Sequence, residues 1–209
     1  MSALGVWVVG VLADEAVEEA RRRFPDAARA HGTWPEALAG TDRWSGPFPA
    51  WSGGAPEPPL HAADIARFTD AVEGARNDES DADELQDHLL HALPPQEGEG
   101  TFCAAVPRGD GAAALMWGLG PDATPRLPGC CGQFLLDAAQ VRAALPPAEQ
   151  ALALPPPRRA LAAARIRLWL AETANDPDCD IDELLDGPLR VLRHASRTGV
   201  GAAGLTFWY

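Results

Sequence analysis

Apolar positions along this chain fall first into a near-continuous run at Val6, Trp7, Val8, Val9 and Val11, which predicts a strand buried on both faces. Behind it Val17, Ala20 and Phe24 recur at helical spacing, with Asp14 the expected cap and Pro25 the stop. Helical periodicity returns from Leu60, where Ile65, Phe68 and Val72 point inward and Asp64, Arg67, Asp70 and Glu73 take the outer side. Asp81 and Glu84 then have capping-box spacing ahead of a helix with Leu85, Leu89 and Leu93 inward, closed by Pro94-Pro95.

The middle of the chain reads as strand. Thr101 to Val106 and Ala112 to Leu119 are two apolar runs joined by Pro107-Arg108-Gly109-Asp110-Gly111, which predicts a hairpin. Gly120 to Gly129 is loop, and Phe134-Leu135-Leu136 leads into a short helix capped by Asp137, with Val141 and Leu145 inward.

The closing fifty residues organise the rest. Pro155 to Pro157 can supply the first turn of a helix, where a missing N–H costs nothing. From Arg158 to Ala174 one arc carries Ala162, Ile166, Trp169 and Leu170, and another carries Leu161, Ala164, Leu168 and Ala171. Apolar character on two sides predicts a central helix covered on both. Asp180 and Glu183 form a second capping box, Gly187-Pro188 interrupts, and a new helix carries Leu189, Leu192 and Ala195 inward until Gly199 ends it. Leu205 to Tyr209 has strand composition. The pattern predicts one α+β domain over residues 1–209, with a small mixed sheet containing both terminal strands and the hairpin, covered by helices.

Composition narrows the chemistry. The chain has 209 residues, 46% of them hydrophobic and 22% charged, which suits one globular core. It contains no lysine, so Schiff-base catalysis and a Walker-type phosphate loop are both excluded. Arginine as the sole strong base, with abundant Ala, Gly and Pro, fits a GC-rich bacterial genome. A formal charge of −13 disfavours nucleic acid and anionic membranes and suits a basic protein partner. The opening Met1-Ser2-Ala3-Leu4 lacks the basic start of a signal peptide, and its apolar run passes straight into Asp14-Glu15, so a cytoplasmic protein is expected.

Residues 31–59 hold Trp34, Trp44, Phe48 and Trp51 among Gly, Pro, Ser and Thr. As a ligand site this would be an aromatic flap with Arg43 as an anion contact; the plainer reading is an irregular segment pinned by its tryptophans. Glu84, His88 and His91 share one helical face, with Asp87 beside them, and could offer ligands to a divalent metal if another segment completed the shell. The plainer reading there is a solvated polar face. Cys130-Cys131, between Gly129 and Gly132, could be a vicinal disulfide or hold one reactive thiol. Adjacent side chains are expected to splay apart, and small buried hydrophobes are the simpler assignment. Asp176, Asp178, Asp180 and Asp182 imitate half a calcium loop, but Ile181 and Gly187 stand where glycine and glutamate are required. No G-x-S-x-G is present, and no G-x-G-x-x-G follows a strand.

As an ordered set, the opening strand and helix (Gly5 to Phe24), the Leu85-Gln86-Asp87-His88-Leu89-Leu90-His91 helix, the Phe134-Leu135-Leu136-Asp137 segment running to Val141 and Leu145, and the terminal helix, turn and strand (Pro188 to Trp208) resemble the YfbM-like family of uncharacterised bacterial proteins. These pieces cover about half the chain, and the family's aspartate–lysine–tryptophan element has no counterpart here. The resemblance implies a compact α/β fold and carries over no catalytic residue. The expected function is that of a non-catalytic acidic binding or accessory protein of the immunity type. The alternative is a small-molecule enzyme, or a metal- or ligand-binding domain, built from the aromatic loop and the His88/His91 helix.

Overall fold

The computed structural model describes residues 4–31, 62–75, 82–94, 98–174 and 179–209. Among these residues the sheet has four strands: β1 (Leu4–Leu12), β2 (Thr101–Pro107), β3 (Phe134–Leu136) and β4 (Gly201–Trp208), in the order β2-β1-β4-β3. The two terminal strands are therefore the central pair, with Val8 opposite Leu205 on one side and Cys103 on the other. The sheet is antiparallel throughout rather than mixed. β1 reads as continuously apolar because it has neighbours on both edges and helices on both faces.

One face of the sheet carries Leu12, Leu135, Ala203 and Leu205 against three helices: α1 (Asp14–Arg23), α2 (Pro25–Ala30) and α4 (Ala82–Ala92). The other face carries Trp7, Val9, Phe102 and Ala202 against α3 (Ala62–Ala75), α5 (Gly111–Leu119), α6 (Ala138–Leu152), α7 (Pro156–Thr173) and α8 (Ile181–Thr198). The result is the expected α+β arrangement, with both chain ends paired into the sheet.

Several local expectations are corrected. Ala112 to Leu119 is helix α5, not the second arm of a hairpin. The Asp110 carboxylate accepts from the N–H groups of Ala112 and Ala113 at 2.8 and 3.1 Å, which starts the helix, and the run of alanines favours its continuation. All its residues from Gly111 to Gly118 are buried, so no polar face betrays a helical period. Asp14 lies in the first turn of α1 instead of capping it, and its carboxylate accepts from Ala138 N at the start of α6.

α6 is longer than expected, running through Pro146 and Pro147 to Leu152 from a capping box between Asp137 and Gln140. α8 runs unbroken across Gly187-Pro188. A side chain at Gly187 would place Cβ 2.1 Å from the Phe102 ring, so glycine serves the close approach of α8 to β2. α7 is not central. Trp169, Ile166 and Leu170 are buried against the interior, but Leu161 and Leu168 are 41% and 48% exposed and Ala164 and Ala171 face solvent. α5 occupies the enclosed position, and α7 covers it from outside; Gly118 admits the Ile166 side chain and the Ala162 backbone.

Candidate functional site

The segment leading into β3 makes a two-residue hairpin turn. Cys130 N donates to Gln133 O at 3.1 Å, and Gln133 N donates to Cys130 O at 2.8 Å. The two residues between, Cys131 (φ 51°) and Gly132 (φ 83°), both have positive φ, the signature of a type I′ turn. Asn-Gly is at ease in that geometry, whereas cysteine at the first position carries a strain on the order of 1 kcal/mol. Trp7 Nε1 donates to Gly132 O at 3.1 Å and pins the turn to the central strand. A Cβ on Gly132 would meet that indole nitrogen at 2.7 Å, so glycine is needed on steric grounds too.

The left-handed backbone of Cys131 brings the two thiols together. Their sulfurs stand 3.3 Å apart, correcting the expectation that adjacent side chains splay. Both residues are buried, as expected, and none of the four cysteines is in a disulfide. The Cys131 thiol also points toward Val72 O, 3.9 Å away. Beside it lies an apolar slot of about 20 Å³, lined by Trp7, Leu115, Met116, Cys131 and Phe134.

On the opposite side of the sheet, Glu84, Asp87, His88 and His91 surround one shallow depression together with Arg23. They do share a face. His91 Nδ1 lies 2.7 Å from Asp87 O, and the His88 ring packs on Phe24 with centroids 5.7 Å apart. His88 Nε2 is buried and has no hydrogen-bond partner among the described residues. No group of three or more His, Cys, Asp or Glu side chains among the described residues is gathered closely enough to hold a metal ion. Trp34, Arg43, Trp44 and Trp51 lie outside the described residues.

Two features escaped sequence reasoning. His31 sits in a cleft of about 470 Å³ with Arg21, Arg29 and Gln140, its Nε2 2.9 Å from Gly204 O; burial pushes its pKa down to about 4. A separate cleft of about 280 Å³ gathers Arg126, Arg158 and Arg165 over Leu119, Leu154 and Leu161, with Asp122 at its edge. Arg126 Nη1 donates to Gln150 Oε1, another lining residue, at 3.2 Å. The i, i+7 spacing of Arg158 and Arg165 was a legible signal for one helical side. Arg126 joins them only through the fold.

Charge is unevenly compensated. Arg21, Arg29, Arg159, Arg190, Arg193 and Arg197 pair with carboxylates of the same chain. Glu15, Glu18 and Glu19 on α1, and Asp83, Glu84 and Asp87 on α4, are exposed and form no ion pair among the described residues. These two helices lie side by side on one sheet face. No family model, curated protein or solved structure matches the chain. Among the described residues no helix is long and apolar enough to cross a membrane.

Proposed function

We propose that the chain is a non-catalytic binding or accessory protein, of the immunity type, that meets a basic protein through its acidic surface. The uncompensated carboxylates of α1 and α4 carry this reading. Arg22 and Arg23 offset part of this charge at the end of α1, so the negative surface is concentrated on the earlier turns of α1 and on α4, where an arginine- or lysine-rich surface would neutralise it. Such a surface accelerates encounter with an oppositely charged partner and makes binding sensitive to salt. The test is co-purification from the native cell at low salt, repeated with Glu15, Glu18 and Glu19 all changed to Gln. A partner captured by the parent chain and lost by the triple variant supports the reading. Equal capture by both chains, or none by the parent, ends it.

A second reading, a small-molecule binding domain, draws on the arginine-lined cleft. Its mixed lining of leucines and three arginines suits an organic anion with a hydrophobic body. Thermal shift against phosphorylated and carboxylated compounds, compared between the parent and Arg158→Ala, discriminates the two readings.

A further inference from the structure

The structure assigns the Cys130–Cys131 turn as a dithiol site for a trivalent, pyramidal metalloid of the arsenite type. Three observations converge on it. A strained, non-glycine residue occupies the first position of a type I′ turn, and its conformation is what brings the two sulfurs to 3.3 Å. Trp7 holds that turn through Gly132, so the arrangement is built into the central strand rather than left to a loop. The slot of about 20 Å³, lined by Cys131 and not by Cys130, leaves room for one water-sized group on the Cys131 side of the pair.

The sulfur separation selects the ligand. With metal–sulfur bonds of about 2.3 Å, sulfurs 3.3 Å apart subtend about 90° at the bound atom. Linear coordination would need about 4.6 Å between sulfurs and a tetrahedral ion about 3.8 Å, from the same bond length. A trivalent group-15 metalloid bonds pyramidally at angles near a right angle, and it needs two thiolates and one small third ligand. Zinc would need further protein ligands, and no group of three or more metal-binding side chains is gathered among the described residues. Direct disulfide closure is less well served. Neighbouring Cα atoms stand about 3.8 Å apart across a trans peptide, below the usual disulfide range of about 4.4 to 6.8 Å.

Binding is ligand exchange without redox change. Arsenous acid, As(OH)₃, gives up two hydroxyl groups, each of which leaves as water with a thiol proton. Two As–O and two S–H bonds break, two As–S bonds form, and the third hydroxyl stays on arsenic in the slot. The third ligand has to be small, because Cys130 and Cys131 are only 5% and 1% exposed.

The experiment uses the full reduced chain and sodium arsenite. One arsenic per chain is expected by intact-mass measurement, with a rise in Tm of about 5 °C at saturation, because the ligand binds the folded turn. Cys130→Ser and Cys131→Ser should each lose at least tenfold in affinity, while Cys103→Ser and Cys179→Ser bind as the parent does. Cys131→Gly separates binding from folding: it relieves the positive φ, so it should keep or raise Tm in buffer and lose the arsenite shift. The proposal is overturned if arsenite lowers Tm, which would mean that it captures the unfolded chain. It is equally overturned if either serine variant retains the metalloid, if the parent binds none, or if zinc stabilises the parent as strongly as arsenite.

Discussion

Arg21 in α1 and Asp137 at the N-cap of α6 meet at 3.0 Å across 116 positions of sequence. The same guanidinium donates to Leu135 O and to the Gln140 side chain, while Asp14, two turns earlier on the same side of α1, accepts from Ala138 N. Strand β3, the start of α6 and helix α1 are thus tied at one point. The Asp137 carboxyl is held below the usual carboxylate range, first because Gln140 N–H donates to it and then because Arg21 does.

Asp137→Ala should lower stability by about 1–2 kcal/mol, since it removes both cap and ion pair. Asp137→Asn keeps a capping oxygen and should cost less. A double-mutant cycle with Arg21→Ala should give a coupling of about 0.5–1 kcal/mol, the modest value of a part-exposed pair. A depressed carboxyl stabilises the fold above its unfolded pKa and loses that contribution as pH falls through the lower folded value. Urea unfolding at pH 7 and near pH 3 should therefore show the gap between parent and Asp137→Asn closing in acid.

His31 predicts a second pH effect at a different place. Its pKa falls from 6.5 to about 4 on burial, so between those values the unfolded chain takes up a proton that the folded chain refuses. Stability is full above pH 6.5 and falls as pH drops toward 4, by on the order of 1–3 kcal/mol. His31→Gln can still donate toward Gly204 O, and it should flatten the stability profile in that window. An unchanged profile would show that His31 titrates normally.

Helix α5 depends on one carboxylate. Asp110 is buried and accepts two backbone N–H groups, so Asp110→Ala should destabilise the fold by about 1–2 kcal/mol in chemical denaturation. Asp110→Asn should recover most of that loss by still accepting.

Gly187→Ala should reverse the ordinary helix rule. In an exposed helix the change gains about 1 kcal/mol, but here the new methyl would meet the Phe102 ring at 2.1 Å. Overpacking should dominate, with a net loss of about 1–3 kcal/mol read as a lower denaturation midpoint.

The sidedness of α7 is open to a paired measurement. Trp169→Ala should cost about 3–5 kcal/mol, because the ring is almost wholly buried. Leu168→Gln, on the neighbouring position, should stay within about 0.5 kcal/mol of the parent because the side chain is half exposed.

Where a feature has a local cause, it was readable from residue order. The cap at Asp137, the left-handed stop at Gly199, the proline start of α7 and the apolar run of β1 each follow from backbone sterics or a short-range hydrogen bond. The marked one-sided apolar faces of α1, α4 and α8 also told which face would be covered. Candidate chemistry was legible only as residue type: the cysteine pair and the histidine face were visible, but not their geometry. Whether two adjacent sulfurs meet depends on the sign of one φ, and Cys131 does not announce a positive φ as asparagine or glycine would.

Sequence alone determined that this chain folds as α+β with its first and last apolar runs in the sheet, because strand and helix periods are written one residue at a time. Only the tertiary structure decided that α5 is helix, that α7 is exterior and that Arg126 joins Arg158 and Arg165. A segment enclosed on all sides has no polar face to give a period, and an apolar arc looks the same whether or not something covers it. Groups far apart in the chain share a cleft only once the sheet has fixed where their helices lie.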